Sequence, residues 1–157
     1  MSQTKLMVAL KDAEHVDDLL KLACHLKSAM EAELTAIHVV EIGPGLPLDI
    51  EAEMLDQPAN MILSRACRAA AQNSTRIATR LLRAHHVGQA IVSEATDRKI
   101  DLLIMGYHHR HGVVEMIFSS TVQYVARHAP CRLLVEILPN ASTRRRNGEE
   151  SKTVTPC

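Results

Sequence analysis

The chain has 157 residues, 46% of them hydrophobic, with 18 basic and 18 acidic side chains and a formal net charge of zero. That length supports one packed core and is short for two domains of ordinary size, and the charge balance offers no global field to recruit nucleic acid or an anionic membrane. Two Tyr, one Phe and no Trp also remove the stacking platforms that single-strand binders use.

Residues 1–10 hold no apolar stretch followed by a small-residue cleavage site, and no segment approaches the roughly 20 apolar residues of a membrane span. A cytoplasmic location without membrane insertion is therefore expected. Cys24, Cys67, Cys131 and Cys157 lie far apart with no C-x-x-C pair, which predicts three buried small hydrophobes and a terminal thiol rather than a disulfide frame or a zinc site. Asn140-Ala141-Ser142 reads as a chance sequon, since nothing routes the chain to a glycosylating compartment.

In chain order, the apolar run at 5–10 predicts a buried strand, and Val16, Leu19, Leu20, Ala23, Leu26 and Met30 then recur at helical spacing. Residues 33–40 are β-rich and end before Gly43-Pro44-Gly45-Leu46-Pro47, a loop signal. A second helix is expected over about 57–72 from Met61, Ile62, Ala66, Ala69 and Ala70, with Asn73-Ser74 as its stop. Residues 76–83 partly alternate, as a strand nearer a sheet edge does. A third helix is expected over 87–98, with Glu94 placed to pair with Arg98 one turn later. A strand at 102–106, a helix at about 120–128 and a strand at 132–137 complete a βαβαβαβαβ order. Parallel neighbours need right-handed crossovers, so the order implies a parallel sheet with helices on both faces. The polar stretch 139–157, with Arg144-Arg145-Arg146 and Glu149-Glu150, cannot bury enough surface to order itself and is expected to be a solvated tail after a domain at 1–138.

The segment 101–137 carries the sharpest signal: an apolar strand ending on Gly106, a His-rich loop, and a helix opening at Ser119-Ser120-Thr121. The first turn of a helix presents unpaired N–H groups and a positive dipole end, a ready place for an anion. Ser120 and Gln123 have capping-box spacing, so these residues either start a helix or start one that also holds a phosphate. Lys11, just past the first strand, either faces such a phosphate or pairs with Asp12 or Glu14. His108, His109 and His111, with His85 and His86, read as a solvated loop or as imidazoles that attract phosphate when protonated below about pH 6.5. They lack the fixed spacing and fourth ligand of a structural zinc site, so no metal is expected. His38 and His128 read as structural histidines, and Asp12, Glu14, Asp17 and Asp18 as solvent-facing carboxylates in the first turns of a helix. No G-x-S-x-G, H-E-x-x-H or intact Walker loop occurs, so an enzyme is not expected.

Three stretches together resemble the universal stress protein family: Lys5 to Met30, Leu34-Thr35-Ala36-Ile37-His38-Val39-Val40, and 101–137 with Arg127-His128-Ala129-Pro130-Cys131. The resemblance runs over roughly residues 4–138. It implies a Rossmann-like α/β fold, a five-stranded parallel sheet in the order 3-2-1-4-5, usually dimeric, and in one branch an ATP site between the first and fourth strands. That branch carries Gly, two residues, Gly, nine residues, Gly, then Ser or Thr. This chain reads Gly106, two residues, His109, nine residues, Ser119, Ser120, and has Lys11 where the family places an Asp. The Lys-for-Asp pattern resembles the stress-protein domains attached to permeases and antiporters. By the resemblance, an adenine nucleotide (ATP, ADP or AMP) would contact Ala9, Leu10, Lys11, Val40, Met105, Gly106, His109, Ser119, Ser120 and Thr121.

Three functional classes follow. The first is a regulatory domain that binds an adenine nucleotide weakly and acts on a transporter or signalling protein; it needs an open pocket at Ala9, Leu10, Val40, Met105 and Gly106. The second is a homodimeric interaction module with that pocket filled by Met105, Tyr107 or the His loop. The third is a slow ATP hydrolase. A homodimer is expected through antiparallel pairing of 132–137, with Arg132 opposite Glu136 of a second copy.

Overall fold

The computed structural model describes residues 3–50, 53–108 and 119–138. Its elements run β1 (Lys5–Ala9), α1 (Val16–Met30), β2 (Glu33–Glu41), α2 (Glu53–Gln72), β3 (Ala78–Ala84), α3 (Val87–Asp97), β4 (Leu102–His108), α4 (Ser120–His128) and β5 (Arg132–Leu138). The strands form one parallel sheet in the order β3-β2-β1-β4-β5. β1 is central and buried on both faces, which is why Leu6, Met7 and Val8 form an unbroken apolar run rather than an alternating one.

Two cores sandwich the sheet. On one face Leu6, Val8, Leu34, Ala36 and Ile104 pack under Val16, Leu19 and Leu20 of α1 and Ala66 and Ala70 of α2. On the other, Met7, Ile37, Val39, Leu103 and Met105 pack under Ile91 and Ala95 of α3 and Val122 and Val125 of α4. Successive β2 residues divide between the cores, as the two-residue side-chain period of a strand requires.

α1, α2 and α3 end in one way. The residues Glu31, Ser74 and Lys99 take left-handed backbone angles (φ 50, 54 and 54°). In each case the next N–H reaches five residues back, from Ala32 to Lys27, Thr75 to Ala70 and Ile100 to Ala95. This double turn satisfies carbonyls the helix leaves open and normally uses glycine.

Several boundaries differ from expectation. α2 begins by Glu53 rather than near 57, and Pro58 lies inside it instead of in its first turn. The extra turn is anchored by Ala59, buried against Val40 and Ile42, and by an Asp56–Arg83 ion pair, while Arg83 Nη1 also donates to the Leu48 and Ile50 carbonyls at 3.2 and 2.8 Å. β3 starts at Ala78 and is an edge strand, as its partial alternation predicts. Glu94 meets Arg98 at 3.4 Å and also Arg80 of β3 at 2.7 Å. Cys67 does not share the burial of Cys24: it lies on the outer side of α2, while Cys131 is half-buried. Burial pushes the thiols of both Cys24 and Cys131 up. The tail expected at 139–157 lies outside the described residues.

Because Lys99 is exposed and holds a left-handed conformation that disfavours a Cβ, Lys99→Gly is expected to raise stability by roughly 0.5–1 kcal/mol. Urea denaturation of the two proteins tests this, and a destabilised variant would mean the strain is absorbed elsewhere.

Candidate functional site

A cleft of about 280 Å³ opens at the carboxyl end of the sheet, where the strand order reverses between β1 and β4. Open α/β sheets bind ligands at this position because helices leave the sheet on opposite faces there. Ala9, Ile37, Val39, Met105, Ile91 and Val122 line it with apolar surface, and Lys11, Glu41, Ser119 and Thr121 bring polar groups to its rim.

Each wall has a local cause. β1 ends at Ala9, and the chain is then tied down by Leu10 N–H donating to the Ile37 carbonyl at 2.9 Å and by His38 Nδ1 donating to the Leu10 carbonyl at 2.7 Å. Lys11 is exposed and makes no ion pair with the described residues; Glu14 instead lies 3.8 Å from His15. Asp17 is engaged across the helix pair, 3.0 Å from Arg65 of α2. α4 opens at Ser119, whose Oγ accepts from Val122 N–H at 3.3 Å. The cap thus sits one residue before the expected Ser120–Gln123 box, and it is one-sided, since Val122 carries no polar side chain to reciprocate. Ser120 turns to a neighbouring cleft of about 280 Å³ lined also by Glu41, His86, Gly88, Gln89, Thr121 and Tyr124.

Of the ten residues singled out in the sequence, Ala9, Leu10, Lys11, Met105, Gly106, Ser119 and Thr121 line the main cleft. Val40 does not: it points to the opposite face, packed with Ile42 and Ala59, and Val39 stands in the cleft instead. The alternation of β2 carried that signal, since Val39 shares a face with Ile37. His109 lies outside the described residues, as does His111. Met105 is 5% exposed and forms floor rather than plug, and Tyr107 does not line the cleft. His38, Glu41, Val87, Ile91 and Val122 also line it and were not singled out. His85 Nδ1 donates to the Ile42 carbonyl at 3.1 Å, and His128 stacks on Tyr124 with ring centroids 4.3 Å apart. Among the described residues, no group of three or more His, Cys, Asp or Glu is placed to hold a metal, and no helix is long and apolar enough to cross a membrane.

Gly106 has a role the sequence pattern hides. A Cβ built on it would lie 2.9 Å from Leu138 Cδ1 and 3.0 Å from Leu19 Cδ1, so β5 and α1 both close onto bare backbone there. Leucine side-chain tips therefore pack onto the bare backbone of Gly106 on the face away from Met105.

A doubly wound parallel sheet with an open switch-point cleft defines a Rossmann-like α/β domain. Residues 3–135 match the universal stress protein family, and the chain belongs to it. A universal stress protein of Methanocaldococcus jannaschii is 28% identical over 134 residues, 82% of this chain and 74% of that one. Among solved structures, a universal stress protein from Archaeoglobus fulgidus in complex with dAMP superposes with a TM-score of 0.68 at 16% identity, over 86% of this chain and 98% of that one. Another family member, in complex with cAMP, gives 0.56 at 21% identity, over 86% and 97%.

Gly106→Ala is expected to cost about 1–3 kcal/mol through overpacking against Leu19 and Leu138, with any ligand affinity at the cleft little changed. Denaturant unfolding beside ligand titration separates the two, and unchanged stability would refute the packing role.

Proposed function

We propose that this chain is a non-enzymatic cytoplasmic regulatory domain that binds an adenine nucleotide weakly in the switch-point cleft. One observation carries the reading: an apolar-floored cleft is bordered at one side by the first turn of α4 and by the cation of Lys11. Ser119 spends its hydroxyl on Val122, so the N–H groups of the turn that remain unmatched face a phosphate. The base lies over Val39, Ile37 and Met105, and the phosphates point toward Ser119, Thr121 and Lys11. Relatives solved with dAMP and cAMP support an adenine ligand. Lys11 in place of an acidic residue supports a role beside a transporter or signalling protein, with the nucleotide as the signal.

A second reading, a homodimeric interaction module, is favoured by β5. It is an edge strand, and Leu134 and Ile137 are 36% and 40% exposed on it. Unpaired edges with apolar side chains recruit a second strand. The two readings combine if the dimer forms through β5 while the cleft stays open.

Denaturing freshly purified protein and analysing the supernatant by mass spectrometry should release an adenine nucleotide, or calorimetry should detect AMP or ADP binding at least as tightly as ATP. Ser119 carries a Cβ where the family's ATP-binding branch has glycine, which limits the approach of outer phosphates. Lys11→Glu is expected to weaken binding by about tenfold, the scale of reversing one charge beside a phosphate in a water-exposed cleft. Absence of binding to AMP, ADP and ATP alike would leave only the module reading.

For the dimer, antiparallel β5 pairing about Leu134 sets Arg132 of one copy against Glu136 of the other twice. Such pairs contribute roughly 0.2–1 kcal/mol each. Light scattering should show a weaker dimer for Arg132→Glu and recovery on adding Glu136→Arg. A wild type that stays monomeric at high concentration contradicts this edge.

A further inference from the structure

α2 buries Ala59, Ile62, Leu63, Ala66, Ala69 and Ala70 toward the sheet and α1, and its opposite face covers none of the described residues. That outer face carries Met54 and Met61, which at 87% and 72% exposure are the most exposed large apolar side chains among the described residues. Glu53, Gln57, Met61, Ser64 and Arg68 follow at spacings of three and four and are all exposed, so they form one stripe along the 20-residue helix. Its amino end is acidic, its middle apolar and its carboxyl end basic. Arg65, beside the stripe, is held by Asp17 of α1. Glu53 and Arg68 make no ion pair with the described residues.

Such a stripe complements its own reverse. An antiparallel copy of α2, with the two-fold axis between residues 60 and 61, sets Glu53 against Arg68 and Gln57 against Ser64, each twice. The two Met61 side chains meet at the axis, and Met54 lies opposite the exposed Cys67 of the other copy. A slip of four residues either way sets Glu53 against Gln72 or Ser64 and loses both charge pairs. Opposite charges therefore select one register.

We propose that the outer face of α2 docks on the same face of a second copy of this chain, antiparallel and in that register. A face about 30 Å long and 10 Å wide is smaller than the roughly 800 Å² per partner of a stable complex, so the contact is weak. It is separate from the β5 edge. α2 packs on β2 and β3, and at about 4.8 Å per strand the α2 helices of two chains joined through β5 stand roughly 30 Å apart or more.

Cysteine crosslinking on the full chain carrying Cys157→Ser tests the register. Under mild oxidation Met54→Cys should give a disulfide-linked dimer through the native Cys67. Cys67 alone, or Met54→Cys combined with Cys67→Ser, should give little, because identical positions then lie 13 residues apart along the pair, about 20 Å, and a disulfide needs Cα atoms within about 7 Å. Glu53→Arg should lower the yield by about threefold to tenfold, the scale of reversing two exposed pairs, and adding Arg68→Glu should restore it. Equal yields from all three cysteine arrangements mean random collision and overturn the proposal. A loss in Glu53→Arg without rescue overturns it as well. Absence of crosslinking through Cys67 at high protein concentration means that the face takes a different protein, which also overturns the self-contact.

Discussion

β1 is hydrogen-bonded on both sides, by β2 and by β4, and is buried on both faces. Its two neighbours belong to crossovers that run to opposite sides, and right-handed connection then places α1 and α2 on one face and α3 and α4 on the other. No helix can cover the carboxyl end of β1 and β4 under that arrangement. The cleft is thus a consequence of strand order before it is a consequence of any residue. What the residues decide is whether it stays open. Ala9 contributes a methyl where a larger side chain would fill it, and the His38 bond to the Leu10 carbonyl keeps the chain beyond β1 from folding across it.

The glycine pattern of the family's nucleotide site is thinned here, and Gly106 and Ser119 each have a physical cause. At Gly106 the side-chain tips of Leu19 and Leu138 close on bare backbone, so a larger residue must displace them. Ser119 replaces a glycine and caps α4 through its hydroxyl, a contact that stabilises the helix while using one of its free N–H groups. A site built this way has fewer backbone donors for a chain of phosphates and keeps the apolar floor for a base.

Element order and type were legible because the apolar runs are long and their periods distinct: Leu6-Met7-Val8 reads as a doubly buried strand, and Val16, Leu19, Leu20 and Ala23 as one helix face. The strand order was not legible from periodicity, which says nothing of neighbours; it came from resemblance to a family. The helix ends were legible too, at Met30 and at Gln72 before Asn73-Ser74, although Glu31, Ser74 and Lys99 occupy positions where glycine is the usual marker. The start of α2 was less legible: apolar spacing placed it near 57, yet the helix begins by Glu53 because Asp56 and Ala59 are fixed by Arg83 and by Val40 and Ile42. At the site, Val40 was one residue off: in a strand, a shift of one moves a side chain to the other core. Glu41 escaped notice because a charged residue ending a strand is ordinarily solvated, and only the position of α3 shows that it borders a cleft.

The two edges of the sheet are treated oppositely. On β3, Arg80 and Arg83 are drawn into pairs with Glu94 and Asp56, so the edge is lined with held charge. On β5, Leu134 and Ile137 stay exposed. A chain with one guarded edge and one adhesive edge is expected to close as a two-fold pair, because an edge that meets its own copy leaves nothing further to extend. β5 is also the strand whose Leu138 tip would lie 2.9 Å from a Cβ at Gly106, and Gly106 adjoins Met105 in the cleft floor. A displacement of β5 on pairing would therefore press on backbone that borders the ligand cleft. Tight packing transmits such shifts instead of absorbing them, so the β5 edge and the switch-point cleft share one mechanical contact.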